Sequence, residues 1–214
     1  MNAPIARRIV CFGDSITHGA EFEPAQRWTT LLQQKLDTFQ PCAWQVHNHG
    51  VGGNTTAQGF DRFGADVMLL LPAVVLVQFG FNDANVYNWT TMPRIGLTEY
   101  TGNLREFHRL ITGRGGECVF IVNHTIAAID GCQGNDLRYS DNFAPYETAL
   151  RDLVSELDAS SIDLAAMMRE TDVDLHRLLA EDGLHLSVEG NVFYADMVFD
   201  ALTQQLSHTL QRAL

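Results

Sequence analysis

The chain lacks any apolar run long enough to cross a bilayer, which takes about 18–20 residues. Its longest, Val67 to Val77, is interrupted by Pro72 and reads as a helix end followed by a buried strand. A secretory leader pattern is also missing. Arg7 and Arg8 have no apolar h-region behind them, because Gly13 and Asp14 arrive too soon. Cysteine is scarce. Cys11, Cys42, Cys118 and Cys132 show no C-x-x-C spacing, and Cys11 and Cys118 lie inside apolar runs, where a free thiol behaves as a small hydrophobe. These absences predict a reduced, cytoplasmic protein without a membrane anchor.

Positive charge is scarce too. Fourteen Lys and Arg stand against 26 Asp and Glu, for a formal charge of −12, and the cations are scattered. Nucleic-acid binders need a basic face, so a nucleic-acid partner is disfavoured. No low-complexity tract, internal repeat or Pro/Gly/Ser linker divides the 214 residues, which read as one domain over residues 1–214.

What is present is an alternation of short apolar runs with longer amphipathic ones. Arg8 to Phe12, Ala43 to His47, Ala73 to Phe79, Glu117 to Asn123 and Ser161 to Leu164 read as strands. Helical spacing marks Arg27 to Phe39, Leu97 to Ile111, Phe143 to Leu157 and Val188 to about Leu210. Continuous apolar strands separated by helices indicate a parallel sheet covered on both faces, a doubly wound α/β sandwich of about five strands. In such sheets the ligand site lies at the carboxyl ends of the strands. Polar residues do follow the strands there: Gly13-Asp14-Ser15, Asn48 to Thr55, and Gly80 to Asp83. Asp182 to His185 lies in the connection before the last helix.

Ser15 stands two residues past the first strand, where its hydroxyl can face the crevice or where the segment can simply cap a helix. Thr17 breaks the G-x-S-x-G nucleophile elbow, which argues against an α/β-hydrolase proper. Asp182-Gly183-Leu184-His185 allows the acid to fold back in one turn and fix the imidazole tautomer, leaving the other ring nitrogen as a base. D-x-x-H alone is also the pattern of a surface histidine beside a helix start. Its weight comes from falling on the same edge as Ser15. The loops around Gly53 and Asn82 read either as tight turns or as N–H donors aimed into the crevice.

Taken in order, Gly13-Asp14-Ser15, Gly53, Gly80-x-Asn82-Asp83 and Asp182-x-x-His185 resemble the blocks of the SGNH hydrolases, also called GDSL esterases/lipases. The resemblance runs from Ile9 to about Leu202. Ile16 stands where many members have Leu. Within the family, Asp182 to Asn191 is most similar to small-ester hydrolases of the isoamyl acetate esterase type. The resemblance implies a flavodoxin-like three-layer α/β/α fold and a cofactor-independent serine ester hydrolase acting on small or short-chain esters. Ser15 is implied as nucleophile, His185 as base and Asp182 as its orienter. Ser15 N–H, Gly53 N–H and the Asn82 side chain are implied as oxyanion donors. A carbohydrate O-acetylesterase or acyl thioesterase with the same machinery is the alternative.

Other groups point less clearly to chemistry. His47 and His49 would share a strand face and suit a metal, yet no third ligand is evident, so no metal is expected. Asp14, Asp83 and Asp182 could form a carboxylate cluster for a divalent cation, but the first two more simply bond the loops holding Ser15 and Asn82. Gly50 to Gly53 lacks the Lys-Ser/Thr ending of a phosphate loop. His18, Phe22, Phe81, Tyr87 and Trp89 fall in crevice loops as pocket or local packing. Asn123-His124 follows the fourth strand as a supporting pair.

Overall fold

A computed structural model describes residues 7–129, 131–171 and 173–205. Five parallel strands form one sheet in the order β2-β1-β3-β4-β5. They are β1 (Arg7–Gly13), β2 (Trp44–Gly50), β3 (Val74–Gln78), β4 (Glu117–Val122) and β5 (Ser160–Asp163). The three central strands, β1, β3 and β4, are the apolar runs, and all five residues of β3 are buried. That pattern suits strands covered on both faces.

The helices between them are α1 (Ser15–His18), α2 (Trp28–Phe39), α3 (Thr56–Phe63), α4 (Phe81–Ala84) and α5 (Leu97–Thr112). They are followed by α6 (Tyr139–Leu157), α7 (Leu164–Arg169), α8 (Leu175–Leu178) and α9 (Val188–Gln205). On one side α2 packs against α9; on the other, α3 packs against α5 and α5 against α6. Phe12 of β1 meets Phe63, Phe79 and Phe107 edge-on, centroids 5.2–5.6 Å apart, which ties sheet to helices through aromatic contacts. Connection order reverses between β1 and β3, and at such a switch point the crevice opens at the strands' carboxyl ends.

Several elements differ from the sequence expectation. β2 runs on through Asn48, His49 and Gly50, which pair with Cys11, Phe12 and Gly13, so the loop begins at Val51 rather than Asn48. As a half-exposed edge strand, β2 needs no continuous apolar run. Gly50 is required there because a Cβ would overlap the backbone of His18. α6 starts at Tyr139 rather than Phe143; its first turn is largely exposed and carries no apolar stripe. β5 ends at Asp163, whose side chain accepts the Ala166 N–H and so starts α7 at Leu164. The unanticipated α3 carries a capping box, Thr55 accepting from the Gln58 N–H while Gln58 accepts from the Thr55 N–H. The expected extension of the last helix over residues 206–210 lies outside the described residues.

Candidate active site

The first strand delivers Asp14 and Ser15 to the crevice. Asp14 caps α1, its Oδ1 accepting the Ile16 N–H at 3.0 Å, so the cap is Asp14 and Ser15 is the first helical residue. An amide at that position has no intrahelical acceptor and points out of the helix start. The turn rests on buried amides. Gln78, ending β3, accepts from Thr17 Oγ1 at 2.8 Å and from Asp14 N–H at 3.4 Å, and donates from Nε2 to Asn123 Oδ1 at 2.9 Å. Asn123 in turn donates to the Phe79 carbonyl at 2.8 Å. Arg62 of α3 reaches the Gly13 carbonyl at 2.8 Å and the His49 carbonyl at 2.8 Å, closing the other side.

His185 approaches from the loop before α9. Ser15 Oγ lies 2.9 Å from His185 Nε2, and His185 Nδ1 lies 2.6 Å from Asp182 Oδ2. A carboxylate only accepts, so Nδ1 carries the proton and Nε2 presents its lone pair to the serine hydroxyl. Asp182 Oδ1 also accepts the N–H groups of Leu184 and His185, both at 2.9 Å. Burial pushes the Asp182 carboxyl up, but the bonds from the His185 ring and from these two amides outweigh it and hold the carboxyl below its ordinary range. His124, following β4, donates from Nε2 to the Leu184 carbonyl at 2.8 Å, and Ala127 N–H donates to the Gly183 carbonyl at 2.9 Å. Burial pulls His124 down to about 4, so it is neutral near pH 7, and its Nδ1 is buried without a partner.

Gly53 lies just past the end of β2 with φ +75°, open space where a Cβ would stand, and an N–H with no acceptor among the described residues. The neighbouring Gly52 N–H donates to His18 Nδ1 at 3.3 Å, which gives His18 a local structural role. Asn82, in α4, sits between Asp14 and Arg94. Its Nδ2 is 3.4 Å from Asp14 Oδ2, and its Oδ1 accepts from Arg94 Nη1 at 3.2 Å. Asp83 accepts from the Thr56 hydroxyl at 2.5 Å and the Thr56 N–H at 3.0 Å, linking α4 to α3. Burial raises Asp14 to about 7 and Asp83 to about 6; hydrogen bonds from Ile16 and Gln78, and from Thr56, only partly offset this.

The structure therefore brings Ser15, His185 and Asp182 into one hydrogen-bonded chain. Gly53, in the loop after β2, and Asn82, in the short helix α4 after β3, stand past strand ends on the same rim. The three aspartates do not form a cluster, since each serves a separate local bond. His47 and His49 share a face with ring centroids 6.4 Å apart, His49 facing Asp66 at 3.4 Å. No group of three or more His, Cys, Asp or Glu suited to a metal occurs among the described residues. Arg94, Arg62, Gln78 and Thr56 escaped the sequence reading. Thr55-Thr56-Ala57-Gln58 carries a capping-box pattern that marks α3, but nothing local marks Arg94 or Gln78.

The profile of the GDSL-like Lipase/Acylhydrolase family matches residues 11–192. The chain is 28% identical over 218 residues to the isoamyl acetate-hydrolyzing esterase 1 homolog of Rattus norvegicus, covering 94% of this chain and 83% of that protein. Among solved structures, a lipase/acylhydrolase from Enterococcus faecalis superposes with a TM-score of 0.76 at 22% identity, over 93% of this chain and 96% of that one. An acetylxylan esterase from Geobacillus stearothermophilus superposes with a TM-score of 0.70 at 19% identity, over 94% and 96%. At these identities the two structural likenesses concern the fold.

Proposed function

The chain belongs to the GDSL-like lipase/acylhydrolase family and is a carboxylic ester hydrolase, and from that premise we propose that Ser15, His185 and Asp182 are its catalytic triad, acting on small esters of short acyl chains. The observation that carries this reading is the 2.9 Å separation of Ser15 Oγ and His185 Nε2 with Asp182 behind the ring. His185 Nε2 takes the serine proton as Oγ attacks the ester carbonyl. Asp182 holds the imidazole in the competent tautomer and stabilises the imidazolium. The N–H groups of Ser15 and Gly53 and the Asn82 side-chain N–H receive the developing oxyanion. The alcohol leaves with the proton from His185, and water then repeats the sequence on the acyl-enzyme, releasing the acid. No step calls for a cofactor or a metal.

The short-acyl preference is supported by the cavity beside the nucleophile. Lined by Ser15, His185, Ile16, Phe22 and Leu186 among others, it measures about 10 Å³, room for about one water-sized group. An acetyl methyl fits such a space. One feature favours a second reading, removal of acetyl from a sugar. Tyr87 and Trp89, in the loop after Asn82, stack with centroids 4.6 Å apart, and Trp89 is 81% exposed, a flat apolar platform for a ring-shaped alcohol. A cytoplasmic setting fits the four free thiols, and no helix among the described residues is long and apolar enough to cross a membrane.

The deciding measurement is kcat/KM over a graded ester series, acetyl to octanoyl, with sugar acetates and an acyl thioester alongside and Ser15→Ala as blank. Acetyl esters should turn over fastest, and Ser15→Ala should lose at least about 10³-fold in kcat while keeping its fold. Activity retained by Ser15→Ala would overturn the triad. A preference for octanoyl would overturn the short-acyl reading alone.

A further inference from the structure

Asn82 is gripped on its carbonyl side by a residue that belongs to none of the family-like blocks. Arg94 lies in the loop of residues 85–96, donating from Nη1 to Asn82 Oδ1 at 3.2 Å and from Nη2 to Gln58 Oε1 at 3.1 Å. The loop folds back to place it. Arg94 N–H bonds the Asn85 carbonyl at 3.0 Å, and Ile95 N–H bonds the Asp83 carbonyl at 3.1 Å. The guanidinium also lies over the Tyr87 ring, 5.6 Å from its centroid. Gln58 is the reciprocal partner of Thr55 in the α3 capping box, whose first residue follows Gly53 by two. One guanidinium thus spans the two stretches that carry Gly53 and Asn82.

We propose that Arg94 is a positioning residue of the oxyanion hole, fixing the Asn82 amide so that Nδ2 rather than Oδ1 faces the crevice. This rests on the reading of Asn82 as an oxyanion donor. A primary amide turned half a revolution keeps its shape and exchanges donor for acceptor, so only its partners decide which end points where. A guanidinium has five donors, no acceptor and a charge it does not lose, and it tolerates only the oxygen of the amide. Asp14, the other neighbour, discriminates less. Its contact to Nδ2 is long at 3.4 Å, and burial lifts its carboxyl to about 7, so near neutral pH part of the population is protonated and able to donate. With the amide reversed, a carbonyl oxygen would face the oxyanion and repel it. A charged donor on Oδ1 further polarises the amide, which strengthens the N–H that the transition state uses.

The test is a double-mutant cycle on the full chain with para-nitrophenyl acetate. It measures kcat, KM and thermal midpoint for wild type, Arg94→Met, Asn82→Ala and the double variant. Methionine keeps an aliphatic stem against Tyr87 while removing every donor. Arg94→Met is expected to lower kcat about ten-fold with KM changed less than about three-fold, and to change kcat by less than about two-fold once Asn82 is alanine. Arg94→Lys should recover part of the loss, because an ammonium supplies one point donor without the fork that reaches Gln58 as well. An equal loss in both backgrounds, or no loss in the wild-type background, would overturn the proposal while leaving the oxyanion reading intact. An unchanged kcat in Asn82→Ala would overturn that reading and this inference with it. Should Arg94→Met fail to fold, Arg94→Leu, which also removes every donor, goes through the same cycle with the same criteria.

Discussion

The two halves of the candidate site are held by different means. The nucleophile half, Gly13 to Thr17, sits on sheet ends, with Asp14, Thr17, Gln78 and Asn123 all buried and bonded across more than 40 residues of sequence. In the base half, residues 182–185, Asp182 stands exposed on a surface loop. Its bonds to Leu184 and His185 are local, made within three residues. The difference follows from what each half has to do. A nucleophile surrounded by N–H donors needs a rigid, water-poor frame, because misplacing a donor by a fraction of an ångström weakens it. A carboxylate that only orients an imidazole works from a solvated turn, where a short sequence motif sets the geometry.

That contrast can be broken most forcefully at the base. His185→Ala should lower kcat on an aryl acetate by about 10³-fold or more, whereas Asp182→Ala should cost at least about ten-fold less than that, since water can replace an exposed carboxylate. Both should unfold within about 1 kcal/mol of wild type in urea. Equal kinetic losses would show that the exposed half is as tightly built as the buried one. Gln78→Leu probes the other half. It strands the Thr17 hydroxyl and Asn123 Oδ1 inside the protein, so stability measured by urea unfolding should fall by about 2–4 kcal/mol, with kcat lowered as well. An unfolding free energy unchanged by this substitution would contradict the frame assigned to the nucleophile.

Asp14 carries a pH dependence of its own. Unfolded, its carboxyl loses its proton near 3.8; folded, burial holds the proton until about 7. The native state therefore binds more protons across that window, and the Asp14 contribution to stability declines as pH rises from about 4 to about 7. Asn at this position keeps the cap but cannot ionise. Asp14→Asn should therefore gain thermal midpoint relative to wild type as pH rises from 5 to 8, levelling off above the folded-state value. A difference independent of pH would mean that Asp14 ionises freely in the fold.

Much of this arrangement is legible before folding. β1, β3 and β4 announce themselves as apolar runs because central parallel strands are covered on both faces. Ser15, Asn82 and Asp182-x-x-His185 stand out because each falls just past a strand or just before a helix. β2 is underread for the opposite reason: an edge strand half in water carries Asn48 and His49 without an apolar pattern. α3 is short, and only its capping box marks it. Arg94 is not legible at all. Nothing within residues 85–96 distinguishes it from any surface cation until the loop folds back over Asp83 and Asn85.

Local chemistry in the chain itself thus determines the layered α/β class, the order of the polar blocks and the turn that presses Asp182 against His185. Each of these depends on periodicity or on neighbours a few residues apart. The reach of Ser15 to a histidine 170 positions away is decided only in three dimensions. So are the amide relay beneath Ser15 and the guanidinium bridging Gln58 and Asn82. These contacts join segments that lie apart in the chain, so sheet topology and packing, not local periodicity, settle them.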